Sequence, residues 1–226
     1  MQKRFEYILH LAEGESQSFV LEVDPVSLVI RDDDSVPGPD WTLLEYEKCT
    51  HCPYNAGDKK YCPVAKNLAH AASSFREERS FKKLMAFVKS EERVYGKNTD
   101  LQTALFSLFG LIMASSSCSH LQMFKPMARY HLPFSSAEET AVRAIGMHLI
   151  SEYLKSLEIP GHVVNLDGLL AKYEKVSLVN QGIIKRIRSL KGGDATQNAL
   201  IALDGFASLL PIEISTGLNE LKAHFS

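Results

Sequence analysis

No stretch of the chain stays apolar for the roughly 20 residues that a membrane-spanning helix needs. The most apolar segment, Leu101–Ala114, is shorter and carries Gln102 and Ser107, which suits a helix buried in a core. The beginning, Met1-Gln2-Lys3-Arg4-Phe5-Glu6, lacks the apolar stretch and small-residue cleavage site of an export signal, so a cytoplasmic protein is expected. Neither sign of charge is in excess: a net charge of -2 gives no global attraction to nucleic acid or to an anionic membrane. A P-loop, a dinucleotide-binding glycine motif and a Ser/His/Asp set are also missing. No internal repeat or low-complexity linker divides the chain.

What is present is ordinary globular material: 226 residues, 45% apolar and 23% charged, enough to bury a core without help from metals or disulfides. Phe5, Tyr7, Leu9 and Leu11 alternate with more polar neighbours, as do Phe19, Leu21 and Val23, with Glu13-Gly14-Glu15-Ser16 between them, which predicts a hairpin. A short apolar run, Val26 to Ile30, follows Pro25. A third strand is expected from Trp41 to Tyr46, and two more within Phe81–Val88 and Glu91–Tyr95.

Beyond Asn98 the period becomes helical. Leu101, Ala104, Leu105, Leu108 and Ile112 share a face, and Ser136-Ala137-Glu138-Glu139 has the pattern of a capping box. That box opens a helix with Val142, Ile145, Leu149 and Tyr153 inward, stopped before Pro160-Gly161. A longer helix carries Leu166, Leu169, Leu170, Tyr173, Val176, Ile183 and Ile187 and is closed by Gly192-Gly193. Asp194 is placed to cap another, with Leu200, Leu203, Phe206 and Leu210 inward and Pro211 ending it; Leu218, Leu221 and Phe225 form a last amphipathic stretch. Strands in 1–97 and helices in 98–226 predict an α+β fold in one integrated domain, with antiparallel strands and a cysteine-rich loop ahead of a bundle-like helical part.

All four cysteines fall in two places. Cys49-Thr50-His51-Cys52 is a Cys-x2-Cys knuckle that can turn two thiolates toward one ion; Cys62 follows, and Cys118 lies far downstream in Cys118-Ser119-His120. Cys52 and Cys62 each precede a proline, a pairing common at the edges of metal-cluster loops. Pro63 begins a helix, whose dipole favours a Cys62 thiolate. Structural disulfides are uncommon in a reducing compartment, which turns the reading toward metal. Two blander readings compete: four buried thiols acting as small hydrophobes, and a redox pair, which needs a helix directly after the second cysteine where this chain has Pro53 and a loop through Asn55-Ala56-Gly57-Asp58. A metal set of Cys49, Cys52, Cys62 and Cys118 is expected, with His51 and His120 as substitute ligands. Zinc is preferred over an iron–sulfur cluster, because thiolates suit both and zinc is the commoner structural ion.

Several of these segments go together. Trp41-Thr42-Leu43-Leu44-Glu45-Tyr46 leads into Cys49-Thr50-His51-Cys52-Pro53 and Tyr61-Cys62-Pro63-Val64-Ala65-Lys66-Asn67-Leu68. Later come Gly110-Leu111-Ile112-Met113-Ala114, Cys118-Ser119-His120 and Pro126-Met127-Ala128-Arg129-Tyr130-His131-Leu132-Pro133-Phe134. In these the chain resembles an uncharacterised bacterial family, a domain of unknown function, over most of its length. The resemblance implies a bacterial source and that the cysteines belong together; it supplies no activity, ligand or catalytic residue.

Other features point less far. Arg129 and His131 are candidates for a pocket that orients an acidic ligand or holds a general base, against the plainer reading of an ion pair and a helix cap. Asp32-Asp33-Asp34 lacks the glycine and distal glutamate of a calcium loop. Lys185, Arg186, Arg188 and Lys191 fall in the last turns of a helix, where positive charge complements the dipole. The expected function is therefore a metal-containing binding or regulatory protein, not an enzyme, acting on a protein or small-molecule partner of unknown identity. An iron–sulfur redox or sensor protein is the alternative, and a metal-dependent enzyme using His131 is the third. A homodimer through the helical part is left open.

Overall fold

The expected hairpin forms from β1 (Lys3–His10) and β2 (Ser16–Val23), paired antiparallel from Lys3↔Val23 to His10↔Ser16. The structure, a computed structural model, describes all residues except 1–2, 12–13, 31–34, 191, 193, 216–217 and 223–226. The acidic run Asp32-Asp33-Asp34, Lys191, Gly193 and Phe225 thus lie outside the described residues. β3 (Lys83–Lys89) pairs with β1, and β4 (Val94–Asp100) with β3, so the sheet is wholly antiparallel in the order β2-β1-β3-β4.

Its inner face carries Phe5, Tyr7, Leu9, Phe19 and Val23, as the alternation in β1 and β2 predicts. β3 takes the other phase from the alternation of Phe81, Met85 and Phe87 that its sequence suggests, which Lys83 interrupts. Leu84, Ala86 and Val88 point inward, and Phe81 lies before the strand, exposed. Register with β1 decides this, since Val88 is paired with Tyr7. Phe87 is accommodated on the outer face, against the His10 ring and opposite Gly96, where an added Cβ would come within 3.0 Å of the Phe87 ring.

The stretch after Pro39 is not a strand. Asp40–Thr42 is a 3-10 turn, locked by Pro39, whose carbonyl accepts from the Thr42 amide at 2.8 Å and the Thr42 hydroxyl at 2.6 Å. A single bridge, Leu43↔Tyr61, then ties it to the cysteine segment. Both partners of a short irregular segment are fixed elsewhere, so no ladder needs to form.

Helix α1 (Pro63–Ser74) starts with proline at its first position, as expected. Helix α2 (Leu101–Ala114) begins where β4 ends; the Asp100 carboxylate accepts from the Thr103 amide at 3.0 Å. Leu101, Ala104, Leu105 and Leu108 have no exposed surface, Phe109 and Leu111 are buried on the flanks of that face, and Met113 and Ala114 are buried beyond them. Such all-round burial follows from position: α2 touches β3 and β4, α1, and α6 (Ala195–Ser215). The remaining helices are α3 (Lys125–Arg129), α4 (Ala137–Glu158), α5 (Asp167–Arg188) and α7 (Asn219–Lys222), with α5 packed along α6. Strand and helix side chains share one buried cluster. No single helix among the described residues is long and apolar enough to cross a membrane.

Two helical expectations are corrected. The Ser136 capping box closes with both of its bonds, but α4 buries Ala144, Ile145, His148 and Glu152 and leaves Val142 and Tyr153 exposed. A polar stripe can face inward because its members satisfy one another. Glu152 accepts from Lys155 at 2.7 Å and pairs with His162 at 2.8 Å, and the Lys155 ammonium holds its carboxyl down at about 2. α6 runs through Pro211 to Ser215, since a proline removes one helical bond without stopping the following turn when packing holds it. Asp194 stands just before α6, where its carbonyl accepts from the Asn198 amide. Its carboxylate is engaged by the Ser80 amide at 2.7 Å and hydroxyl at 3.1 Å, which ties α6 to the β3 approach.

The observed face of α4 can be checked by paired substitutions. Ile145→Ala is expected to cost about 2 kcal/mol or more in a denaturant melt, while Val142→Ala stays within about 0.5 kcal/mol. Equal costs would contradict the buried face described here.

Candidate metal centre

The knuckle forms as a tight turn, with the Cys52 amide donating to the Cys49 carbonyl at 3.0 Å. Cys62 sits at the start of α1, its own amide bound to the Thr42 carbonyl at 2.8 Å. Cys118 stands at the start of a 3-10 turn, Ser119–Phe124, that follows α2. The fold brings this distant residue within electrostatic reach of Cys49 and Cys62. Cys49 lies within the same reach of Cys62 and Cys52. All four are half-buried and none is in a disulfide. As the side chains stand, no group of three or more His, Cys, Asp or Glu among the described residues is arranged to hold a metal ion.

Several bonds clamp the two cysteine-bearing segments together. The Tyr54 hydroxyl donates to the Ser117 carbonyl at 2.9 Å, and Lys59 reaches the Ser117 hydroxyl at 3.2 Å. His120 Nε2 donates to the His51 carbonyl at 2.9 Å, and the two imidazoles stack with centroids 4.0 Å apart. His51 Nε2 in turn donates to the Lys175 carbonyl on α5 at 3.0 Å. Donation to a carbonyl fixes the tautomer and leaves Nδ1 with a lone pair. In His51 that Nδ1 is buried without a partner.

Desolvation is the largest cause acting on the thiols. It pushes Cys49 up to about 11, with Cys62 and Cys52 adding to it and Arg186 opposing. It pushes Cys118 up to about 12, against the amides of His120 and Leu121. Cys62 is raised too, against Arg186 and the amides of Val64 and Ala65. Without an ion these thiols stay protonated at neutral pH, a poor state for a nucleophile.

The other expected pair, Arg129 and His131, lines one cleft together. Arg129 is exposed. His131 is enclosed: its Nε2 is 2.5 Å from the Tyr7 hydroxyl, which is 2.9 Å from Ser107 Oγ. Desolvation, then the Arg143 charge, push His131 down to about 3, so its ring is neutral over the physiological range. It caps no helix end.

A family model for a domain of unknown function, DUF6901, matches residues 4–226. The chain belongs to that family. No curated protein and no solved structure matches it.

Two residues that shape the cysteine corner of this DUF6901 chain escaped the sequence reading. Arg186, expected as one of four cations that complement the dipole at the end of α5, is 1% exposed. Its guanidinium donates to the carbonyls of Trp41 at 2.8 Å, Leu43 at 2.7 Å and Leu44 at 2.9 Å. Gly182, one turn earlier, lies against Cys49: an added Cβ would stand 2.6 Å from the thiol sulfur. A glycine in a helical pattern signals close approach but does not say to what. An arginine four residues after it gives no warning of burial at all.

Arg186→Met is expected to destabilise the protein by about 3 kcal/mol or more, since three carbonyls lose a charged donor. Arg186→Lys should recover little, because a single ammonium lacks the fork that reaches all three. Denaturant melts of both variants check this; a lysine variant as stable as the parent would argue against the three-carbonyl clamp.

Proposed function

We propose that Cys49, Cys52, Cys62 and Cys118 close on one zinc ion as thiolates, and that this ion staples the loop after Trp41 to the end of α2. The observation that carries the reading is the approach of Cys118 to Cys49 and Cys62, from elements that the chain places far apart. Four thiolates are the ligand set of a closed structural zinc site. The surroundings suit thiolates. Arg186 puts a buried positive charge beside Cys49 and Cys62, and amides serve the Cys62 and Cys118 sulfurs. Such groups offset part of the negative charge that four thiolates leave around a divalent ion.

In this reading the ion is structural, the protein is a cytoplasmic binding or regulatory protein, and its partner is a protein or a small molecule. An iron–sulfur cluster on the same four sulfurs is the second reading, since the ligand chemistry is shared. His51 is the substitute ligand best prepared for the role, through its orphaned Nδ1.

Elemental analysis and a visible spectrum of untagged protein, purified without air, test this directly. About one zinc per chain with no colour is expected for a closed structural site. Iron with labile sulfide would replace zinc by a cluster and make the protein a redox or sensor protein. Absence of any metal would end both readings. Cys118→Ser is expected to lose the ion, and Gly182→Ala likewise, because its methyl group turns the Cys49 sulfur away without removing a thiol. His51→Ala should keep it; loss there would move the ligand set to three thiolates and one imidazole.

A further inference from the structure

Two adjoining cavities lie elsewhere in the molecule, and no cysteine lines either. The first, of about 130 Å³, is walled by apolar side chains of α2, α3 and α6 and the 3-10 turn, among them Leu121, Met127, Leu203 and Phe206. Tyr173 of α5 also lines it; its hydroxyl is buried and has no hydrogen-bond partner. The wall includes Phe134, held at a φ of 58°, a conformation that a bulky residue adopts only under constraint.

The second cavity, of about 350 Å³, has the opposite character. Lys3, Arg93, Arg129 and Arg143 line it, with Glu92 as the one carboxylate. Lys3 is bound to Glu92 at 2.8 Å. Arg143 donates to the carbonyls of Met127 and Tyr130, and Arg93 to the Tyr95 hydroxyl at 3.3 Å. Among the described residues none of the three arginines has a carboxylate partner in a salt bridge. A protein of net charge -2 therefore gathers in one cleft three guanidinium groups without a salt-bridge carboxylate, with the Glu139 charge acting on Arg143. His131, Leu132 and Arg143 line both cavities, which are neighbours across these side chains.

An apolar chamber beside a basic cleft selects an anion with an apolar tail. The guanidinium fork matches a carboxylate in two parallel bonds. The chamber is close in size to the engineered cavity of about 150 Å³ that takes benzene, so it holds a tail of about six carbons. We propose that these cavities bind a small amphipathic carboxylate, its head among Arg93, Arg129 and Arg143 and its tail between α2 and α6. This site does not depend on the metal reading. It also gives Arg129 and His131 distinct parts: Arg129 supplies charge, while His131, tied to Tyr7, is a neutral wall.

Calorimetric titration of the full chain with hexanoate, and with hexanol as its uncharged match, tests the proposal. Hexanoate is expected to bind at least about tenfold more tightly than hexanol at low salt. Arg93→Gln with Arg129→Gln, both at exposed positions, should bring hexanoate to the level of hexanol and leave hexanol unchanged. Gly110→Leu places an apolar side chain beside Leu203 in the chamber and should abolish binding of both probes. If that variant fails to fold, the arginine pair decides alone. Equal affinities for the two probes, hexanoate binding that survives Gly110→Leu or is unmoved by the arginine pair, or no binding of either probe at millimolar concentration would each overturn it.

Discussion

One guanidinium holds the cysteine corner in place. Arg186 is buried at the end of α5 and donates to three carbonyls of the segment Trp41–Leu44. That segment has no ladder and no helix beyond a 3-10 turn; without Arg186 the Trp41 and Leu44 carbonyls would lose their donor and that of Leu43 would keep only the Tyr46 amide. Satisfying them fixes the path of the chain into Cys49, and the Thr42 carbonyl in turn fixes Cys62. A buried cation is tolerable where several acceptors surround it, and it is better placed still where anions form beside it. The same charge that organises the loop thus lies next to two of the four thiols.

Much of the architecture was legible because local signals and burial agreed. Alternation in β1 and β2, the Ser136 capping box, proline at the start of α1 and the helical spacing of apolar residues in α2 each name their own structure. The failures share a different cause. β3 took its phase from β1, and α4 turned inward a stripe led by Glu152 and His148, which only their partners Lys155, His162 and Asn165 make acceptable. Pro211 was read as a stop, but tertiary packing overrides a single lost bond. In each case the deciding neighbour lies outside the window in which periodicity is read.

The candidate site divides in the same way. Spacing could nominate the four cysteines, since a knuckle with a third nearby is a local pattern, and Cys118 followed from counting. Arg186 and Gly182 could not be nominated, because what matters about them is what lies across from them. A charged residue in the last turn of a helix is ordinarily solvated, and a mid-helix glycine ordinarily costs about 1 kcal/mol for no gain. Here the arginine is inside and the missing side chain admits a sulfur.

The two proposed sites would be built on shared elements, which constrains how either one could work. The segment from Cys118 to His131 begins at a thiol, contributes Leu121, Phe124 and Met127 to the apolar chamber, and ends at a residue that lines both chamber and cleft. Helix α5 does the same from the other side, with Tyr173, Val176 and Asn180 facing the chamber and Gly182 and Arg186 serving the cysteine corner. The Lys175 carbonyl between them receives His51. An ion at the thiols would therefore do more than close a loop. It would set the starting point of the segment that walls the chamber, on a short stretch with no strand partner and only a 3-10 turn and one brief helix of its own. Such a stretch has little intrinsic stability, so its position comes from what holds it. His120 is stacked on His51 and His131 bound to Tyr7 near its ends; between them lie buried Leu121 and Ala128, Phe124 against the Tyr173 ring, and Arg143 on the Met127 and Tyr130 carbonyls.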